Sequence, residues 1–261
     1  MGITRVPVPV ETRSPTGRTN AYVVAAGEGL LIDPAGPSES LETAVRRVDP
    51  NHVAVTHTHR DHVGGVAAFA TADRTVWARA GRADRFERAT GVSADRTFRE
   101  GNAVGPATVM ETPGHAPDHV AFRLPADVAE PAGEALLVGD LAVRAGSVLV
   151  DDADGDLRSY LASLRRLLIR SPAVCYPGHG PTITDPAATL RRLIDRRRDR
   201  EQRILAAVRD GARTAPDIVA AAYDRDLGEA ADLAALSVRA HLEKLAVEGH
   251  VNWDGKRARP T

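Results

Sequence analysis

From residue 20 to about residue 180, apolar positions come in short runs of strand length, separated by turn residues and by stretches of helical spacing. NAYVVAAGEGLLIDPAG, residues 20–36, predicts a strand, a Gly-Glu-Gly turn and a second strand stopped by Pro34 and Gly36. Ser38 caps a helix over 38–48 in which Leu41, Ala44, Val45 and Val48 share one face. HVAVT, from residue 52, is a further strand, and DHVGGVAAFA, from residue 61, opens the next helix. Strands are also predicted at 75–78, 107–111, 119–124, 135–139, 147–150 and 173–176, with a helix at 156–170. Many early strands with helices interspersed favour an α/β sandwich over a doubly wound sheet.

Near residue 186 the pattern changes to charge-rich helix. DPAATLRRLIDRRRDREQRILAAVRDG is helical throughout, and TAPD at 214–217 starts another helix with a Thr-x-x-acid cap and an early proline. A third helix, LAALSVRAHLEKLAVEG, sets Leu236, Ala240, Leu242 and Leu245 at apolar positions and stops at Gly249. Asp254-Gly255 in the tail HVNWDGKRARP is a hairpin turn. Three helices followed by a hairpin outline a winged helix, so the expected domains are 1–190 and 191–261.

Composition narrows the class. The chain has 261 residues, 43% of them hydrophobic, and no apolar run approaches the roughly 18 to 20 residues that span a bilayer. MGITRVPVPVETRSP carries neither a secretory nor a transit pattern, nor the Ser/Thr of a myristoylation site, which makes the cytoplasm the expected compartment. The one cysteine, Cys175, allows no intrachain disulfide and reads as a small buried hydrophobe. A net charge of −1 excludes whole-chain attraction to nucleic acid or anionic lipid.

HVAVTHTHRDHVGG, residues 52–65, sets His57, His59, Asp61 and His62 close together directly after a strand. No single helix or strand face can use all four, whereas a loop wrapped around a cation can. Imidazole and carboxylate suit zinc, and also iron or manganese; without thiolates this is not a structural zinc finger. TPGH with His115, VGD with Asp140 and PGHG with His179 each follow an apolar strand and complete the candidate ligands.

The order His-x-His-x-Asp-His, then His, Asp and His, resembles the metallo-β-lactamase superfamily over roughly residues 1–190. The resemblance implies an αββα sandwich with two divalent metal ions at one edge, Zn2+ first, with Mn2+ or Fe2+ as alternatives. It implies that His57, His59 and His115 bind one ion, that Asp61, His62 and His179 bind the other, and that Asp140 bridges them. Asp61 and Asp140 are then the catalytic carboxylates, and Asp33 in LIDPAG hydrogen-bonds behind the histidine loop. Two cations about 3.5–4 Å apart would convert a bridging water to hydroxide near neutral pH and polarise the scissile group, without a serine or cysteine nucleophile. His52, His119, His241 and His250 stay outside the pattern. His52 is expected at the surface, and Asp118 and His119 in structural roles.

Bridging by Asp140 argues against a true β-lactamase, and the short stretch from Asp140 to His179 has no room for the extra domain of the large RNA-processing nucleases. THTHRDHVGG, TPGHAPDH, YPGHGPTI, REQRIL and HLEKLAVEGHV resemble the β-lactamase-like protein 2 branch, which joins this hydrolase fold to a winged helix. That branch implies two substrates: single-stranded RNA, cut by its animal member, or a small-molecule thioester, ester or lactone of the hydroxyacylglutathione type. For RNA, Arg192, Arg196, Arg200 and Arg203 form a stripe at spacings of four, four and three, and Lys256, Arg257 and Arg259 add charge at the hairpin. The interleaved Asp195, Asp199 and Glu201 make a solvated face the competing explanation. Aromatic residues are 4% of the chain, leaving Trp77, Tyr176 and Trp253 as the few stacking candidates. A DNA-binding regulator acting through the winged helix is a third reading, disfavoured by the full metal set. No membrane partner is expected, and a homodimer stays open.

Overall fold

The computed structural model describes residues 2–128, 133–223 and 227–261. In chain order come β1 (Gly2–Pro9), β2 (Arg18–Ala25), β3 (Leu30–Ile32), α1 (Glu39–Val48), β4 (His52–Ala54), α2 (Arg60–Val63) and α3 (Val66–Phe69). Next are β5 (Thr75–Arg79), α4 (Ala83–Thr90), β6 (Arg96–Phe98), β7 (Ala103–Val104), β8 (Ala107–Glu111), β9 (Val120–Leu124) and β10 (Ala135–Gly139). The chain closes with α5 (Leu157–Arg170), β11 (Val174–Pro177), α6 (Pro186–Arg209), α7 (Ala215–Ala222), α8 (Ala231–Val247), β12 (Val251–Trp253) and β13 (Ala258–Pro260).

Strands β1 to β6 form one sheet in sequence order, and β11-β10-β9-β8-β7 form a second. Period-two alternation explains why their sequences are apolar on both faces. In β2, Tyr22 and Val24 enter the core between the sheets, while Ala21 and Val23 face α1 to α4. In β10, Ala135 and Leu137 face the opposite sheet, while Leu136 and Val138 meet α5 and α6. The result is the expected αββα sandwich, followed by a winged helix built from α6, α7, α8 and the β12-β13 hairpin.

Two local expectations are revised. The helix from residue 61 breaks into α2 and α3 at Gly64-Gly65, where a Cβ would stand 2.6 Å from the Ala35 carbonyl and 2.7 Å from that of Pro34. Residues 147–150 join neither sheet, because side chains from other elements claim their carbonyls: Leu149 by His115 and Val148 by Arg197. Position 190 lies inside α6, a helix of 24 residues that serves two cores. Leu190, Leu193 and Ile194 pack under the second sheet, and Ile204, Ala207 and Val208 pack against α7 and α8. Among the described residues no helix is long and apolar enough to cross a membrane.

Candidate metal centre

Loops after β4, β8, β10 and β11 meet at one edge of the sandwich, and each carries part of a single cluster. His57, His59 and His115 form one close group; Asp61, His62 and His179 form another; His57, His62 and Asp140 form a third that joins them. Asp140 Oδ2 lies 3.3 Å from His179 Nε2 and 3.6 Å from His115 Nε2, and its Oδ1 lies 3.6 Å from His62 Nε2. Asp61 Oδ2 is 3.4 Å from His179 Nε2 and accepts from Thr12 Oγ1. All seven expected side chains are therefore gathered in one place.

Hydrogen bonds behind the rings decide which nitrogen of each faces the centre. His62 Nδ1 donates to Asp33 at 3.0 Å, His115 Nδ1 to the Leu149 carbonyl at 2.8 Å, and His179 Nδ1 to the Arg18 carbonyl at 2.8 Å. Thr56 gives its hydroxyl proton to Asp33, so its oxygen accepts from His57 Nδ1 at 3.1 Å. His59 is reversed: its Nε2 donates to Asp154 at 3.0 Å, which turns Nδ1 inward. Inward nitrogens then stand close together, His59 Nδ1 at 3.0 Å from His57 Nε2 and 2.9 Å from His115 Nε2. With their protons engaged outside, these atoms present lone pairs to one another, an arrangement that a cation stabilises. His62 Nε2 and Asp140 Oδ1 are buried and find no hydrogen-bond partner among the described residues. This donor set fits two divalent ions.

The electrostatics agree. Burial, with His62, His59 and His115 nearby, holds His57 well below the usual histidine range; burial also takes His115 down to about 4. Burial opposes charge on His62 and His179 too, but Asp140 and Asp33 raise His62 well above its ordinary value. Hydrogen bonds to Asp140 and Asp61 push His179 up to about 10. Burial would raise both carboxylates, yet His179 and His62 carry Asp61 down to about 2 and Asp140 far below the usual carboxylate range. The centre holds fixed negative charge and draws positive charge: His62 and His179 keep protons beside Asp140 and Asp61 that a bound cation would displace.

Residues 14–179 match the Metallo-beta-lactamase superfamily, and residues 214–259 match the Beta-lactamase associated winged helix domain. The chain belongs to the metallo-β-lactamase superfamily. It is 33% identical over 195 residues to thioesterase pkgB of Emericella nidulans, an alignment covering 72% of this chain and 53% of that protein. It thus spans about half the length of that relative. The beta-lactamase-like protein 2 homolog of Drosophila melanogaster is 27% identical over 257 residues, covering 88% of this chain and 83% of its own. A metallo-beta-lactamase family protein from Thermus thermophilus shares the fold from end to end, with a TM-score of 0.76 at 24% identity over 100% of this chain and 99% of that one. This member of the superfamily is a hydrolase of the metallo-β-lactamase fold.

Around this metallo-β-lactamase centre lie Asp154, Arg85 and Gly139, which sequence reading passed over, together with residues to which it gave supporting roles. Asp154 orients His59 while receiving the fork of Arg85, which also donates to Thr58 at 2.7 Å. Asp33 is fully buried at a left-handed φ of 50°, held by the Thr56 amide and hydroxyl. Gly139, also left-handed at φ 46°, leaves no space for a Cβ, which would meet Thr56 Oγ1 at 2.5 Å. His119 accepts from the Asp140 amide at 3.1 Å and donates to Thr112 at 2.9 Å, so both its nitrogens are engaged and it braces the Asp140 loop. Asp118 accepts from Thr58 at 2.7 Å, and Cys175 is buried, as expected. His52 opens β4, as a strand-start residue should, and is half-buried there: it accepts from Trp77 Nε1 at 3.2 Å and bonds to Glu28 at 3.0 Å.

Proposed function

We propose that this chain hydrolyses a small-molecule thioester using two divalent cations, one held by His57, His59 and His115 and the other by Asp61, His62 and His179, with Asp140 shared. The observation that carries the metal reading is the convergence of five inward imidazole nitrogens and two carboxylates, each imidazole oriented by a partner behind it. Two such cations, when bound, would supply Lewis acidity toward a carbonyl and would acidify water toward the neutral range. The chain's own residues hold that centre in place. Asp33, Asp154, Thr56 and the Leu149 and Arg18 carbonyls keep each ring in the tautomer that points a lone pair inward. Asp61 and Asp140 stay ionised throughout the neutral range, so they act by fixed charge rather than as proton carriers.

The substrate class is favoured by the resemblance to thioesterase pkgB. Single-stranded RNA keeps less support, because Arg192, Arg196 and Arg200 of the stripe already hold partners within the chain. Arg192 and Arg196 donate to backbone carbonyls of residues 143–146, and Arg200 lies 3.6 Å over the Tyr223 ring. The DNA-regulator reading meets a similar obstacle, since α8 sends Ala240 into the sandwich-side core and Arg239 to Asp152. In this reading residues 1–190 carry the chemistry and residues 191–261 form the winged-helix part.

Protein of verified metal content, given a lactoylglutathione-type thioester and, separately, a labelled single-stranded RNA, tests the proposal. Thioester turnover that is nearly abolished in Asp140→Ala, with metal content reduced in that variant, is the expected result. RNA cleavage without thioester turnover would replace the substrate class, and full metal content in Asp140→Ala would remove the shared-ligand assignment.

A further inference from the structure

Residues 142–156, between β10 and α5, form no strand or helix, yet they border the metal centre. Backbone carbonyls in such a segment need partners from outside it. The C-terminal helices provide them. Arg192 of α6 donates to the carbonyls of Gly146 at 2.7 Å, Val143 at 3.0 Å and Arg144 at 3.1 Å, and Arg196 donates to Gly146 at 2.9 Å. Arg197 is buried; it donates to the Val148 carbonyl and, at 3.1 Å, to Ser237 Oγ of α8, with its guanidinium 5.5 Å from the Tyr160 ring centre. Arg239 of α8 donates to Asp152 at 2.9 Å.

The same segment supplies two of the outer hydrogen bonds at the metal centre. The Leu149 carbonyl, next to Val148, holds His115, and Asp154, two positions beyond Asp152, holds His59. An internal turn ties these anchors together, because Asp151 Oδ1 accepts from the amides of Ala153 at 3.2 Å and Asp154 at 3.0 Å. Building on the two-cation reading above, we infer that the C-terminal helices are positioning elements of the metal centre: Arg197 and Arg239 hold residues 148–154 so that Leu149 and Asp154 fix the rings of His115 and His59.

This link is selective for one of the two cations. His59 and His115 belong to the first group of ligands, whereas Asp61, His62 and His179 are held by Thr12, Asp33 and the Arg18 carbonyl, none of which lies in the segment. Loosening residues 148–154 therefore weakens the first site and spares the second. Arg239 is the better probe because it is partly exposed, while loss of the buried Arg197 threatens folding.

Zn2+ titration against a chromophoric chelator, with melting temperature recorded alongside, tests the inference on the full chain. Wild type is compared with Arg239→Met, Asp152→Asn, the double variant and the conservative Arg239→Lys. Removing an outer-shell partner of a ligand costs about 10–100-fold in metal affinity, and a contact one step further out should fall near the lower end, about 10-fold. The expected result is that loss at one of two sites, no larger in the double variant than in either single one, and largely restored by Arg239→Lys. Wild-type affinity in both single variants, or equal loss at both sites with a lowered melting temperature, would overturn the positioning role while leaving the two-cation reading intact. A wild-type chain that binds no Zn2+ would overturn that reading, and the positioning role with it.

Discussion

Gly178 is where side-chain volume and metal chemistry meet most directly. A Cβ there would stand 2.5 Å from Asp140 Oδ1 and 2.6 Å from His62 Cε1, well inside the roughly 3.5–4.0 Å at which packed carbon atoms rest. Neither neighbour can retreat without cost, since the Asp140 amide is bonded to His119 and His62 is bonded to Asp33. Gly178→Ala is expected to keep the fold and to weaken metal binding about 10-fold or more, read by calorimetric titration; binding as tight as wild type would mean that Asp140 needs no fixed position. Residue identity and order were enough to name the seven candidate ligands. They were not enough to name the groups behind them. Asp154 is 95 positions from the His59 it orients, and no spacing rule reaches across such a separation.

Among the helices, α6 and α8 enclose a buried histidine that the metal centre does not use. His241 is fully buried, with Glu201 3.6 Å away and Arg197 and Arg200 nearby on α6. Burial carries its pKa down to about 4 against the opposing pull of Glu201. The folded chain keeps this ring neutral while the unfolded chain protonates it near pH 6.5, so its contribution is complete above that pH and is lost as pH falls toward 4. Between pH 7 and pH 5 the loss is about 2 kcal/mol. Urea denaturation of wild type and His241→Gln at both pH values measures it: the variant should show a smaller drop in midpoint, and an identical drop would place the pH dependence elsewhere. Elements also show where local pattern stops being informative. The 147–150 run is apolar like a short buried strand, but arginine and histidine donors claim its carbonyls before any neighbouring strand can. The arginines at 192 and 196 repeat like a surface stripe, but their partners are backbone oxygens of a distant loop.

Considered whole, the molecule places its candidate ligands on loops from both sheets, with β4 in the first and β8, β10 and β11 in the second. Cations bound there would tie the two halves of the sandwich together and stabilise the folded chain by mass action. A ligand at about 1,000 times its Kd contributes about 4 kcal/mol, or roughly 10 °C for a chain of this size. Stripping metal with a chelator, checked by elemental analysis, should lower Tm by that order, and readdition of Zn2+, Mn2+ or Fe2+ should restore it to different extents. An unchanged Tm after verified stripping would count against a centre that bridges the sheets. Short-range pattern was sufficient for an α/β sandwich, the winged helix and the candidate ligand set, because strand alternation, caps, turn residues and the His-x-His-x-Asp-His run are each encoded within a few residues; the αββα layering came with the family resemblance. Local pattern was not sufficient for which nitrogen of each ring faces inward, for where the arginines of α6 find their partners, or for one helix serving two cores. Those outcomes depend on hydrogen bonds and packing between residues far apart in the chain, and they exist only once the elements have met.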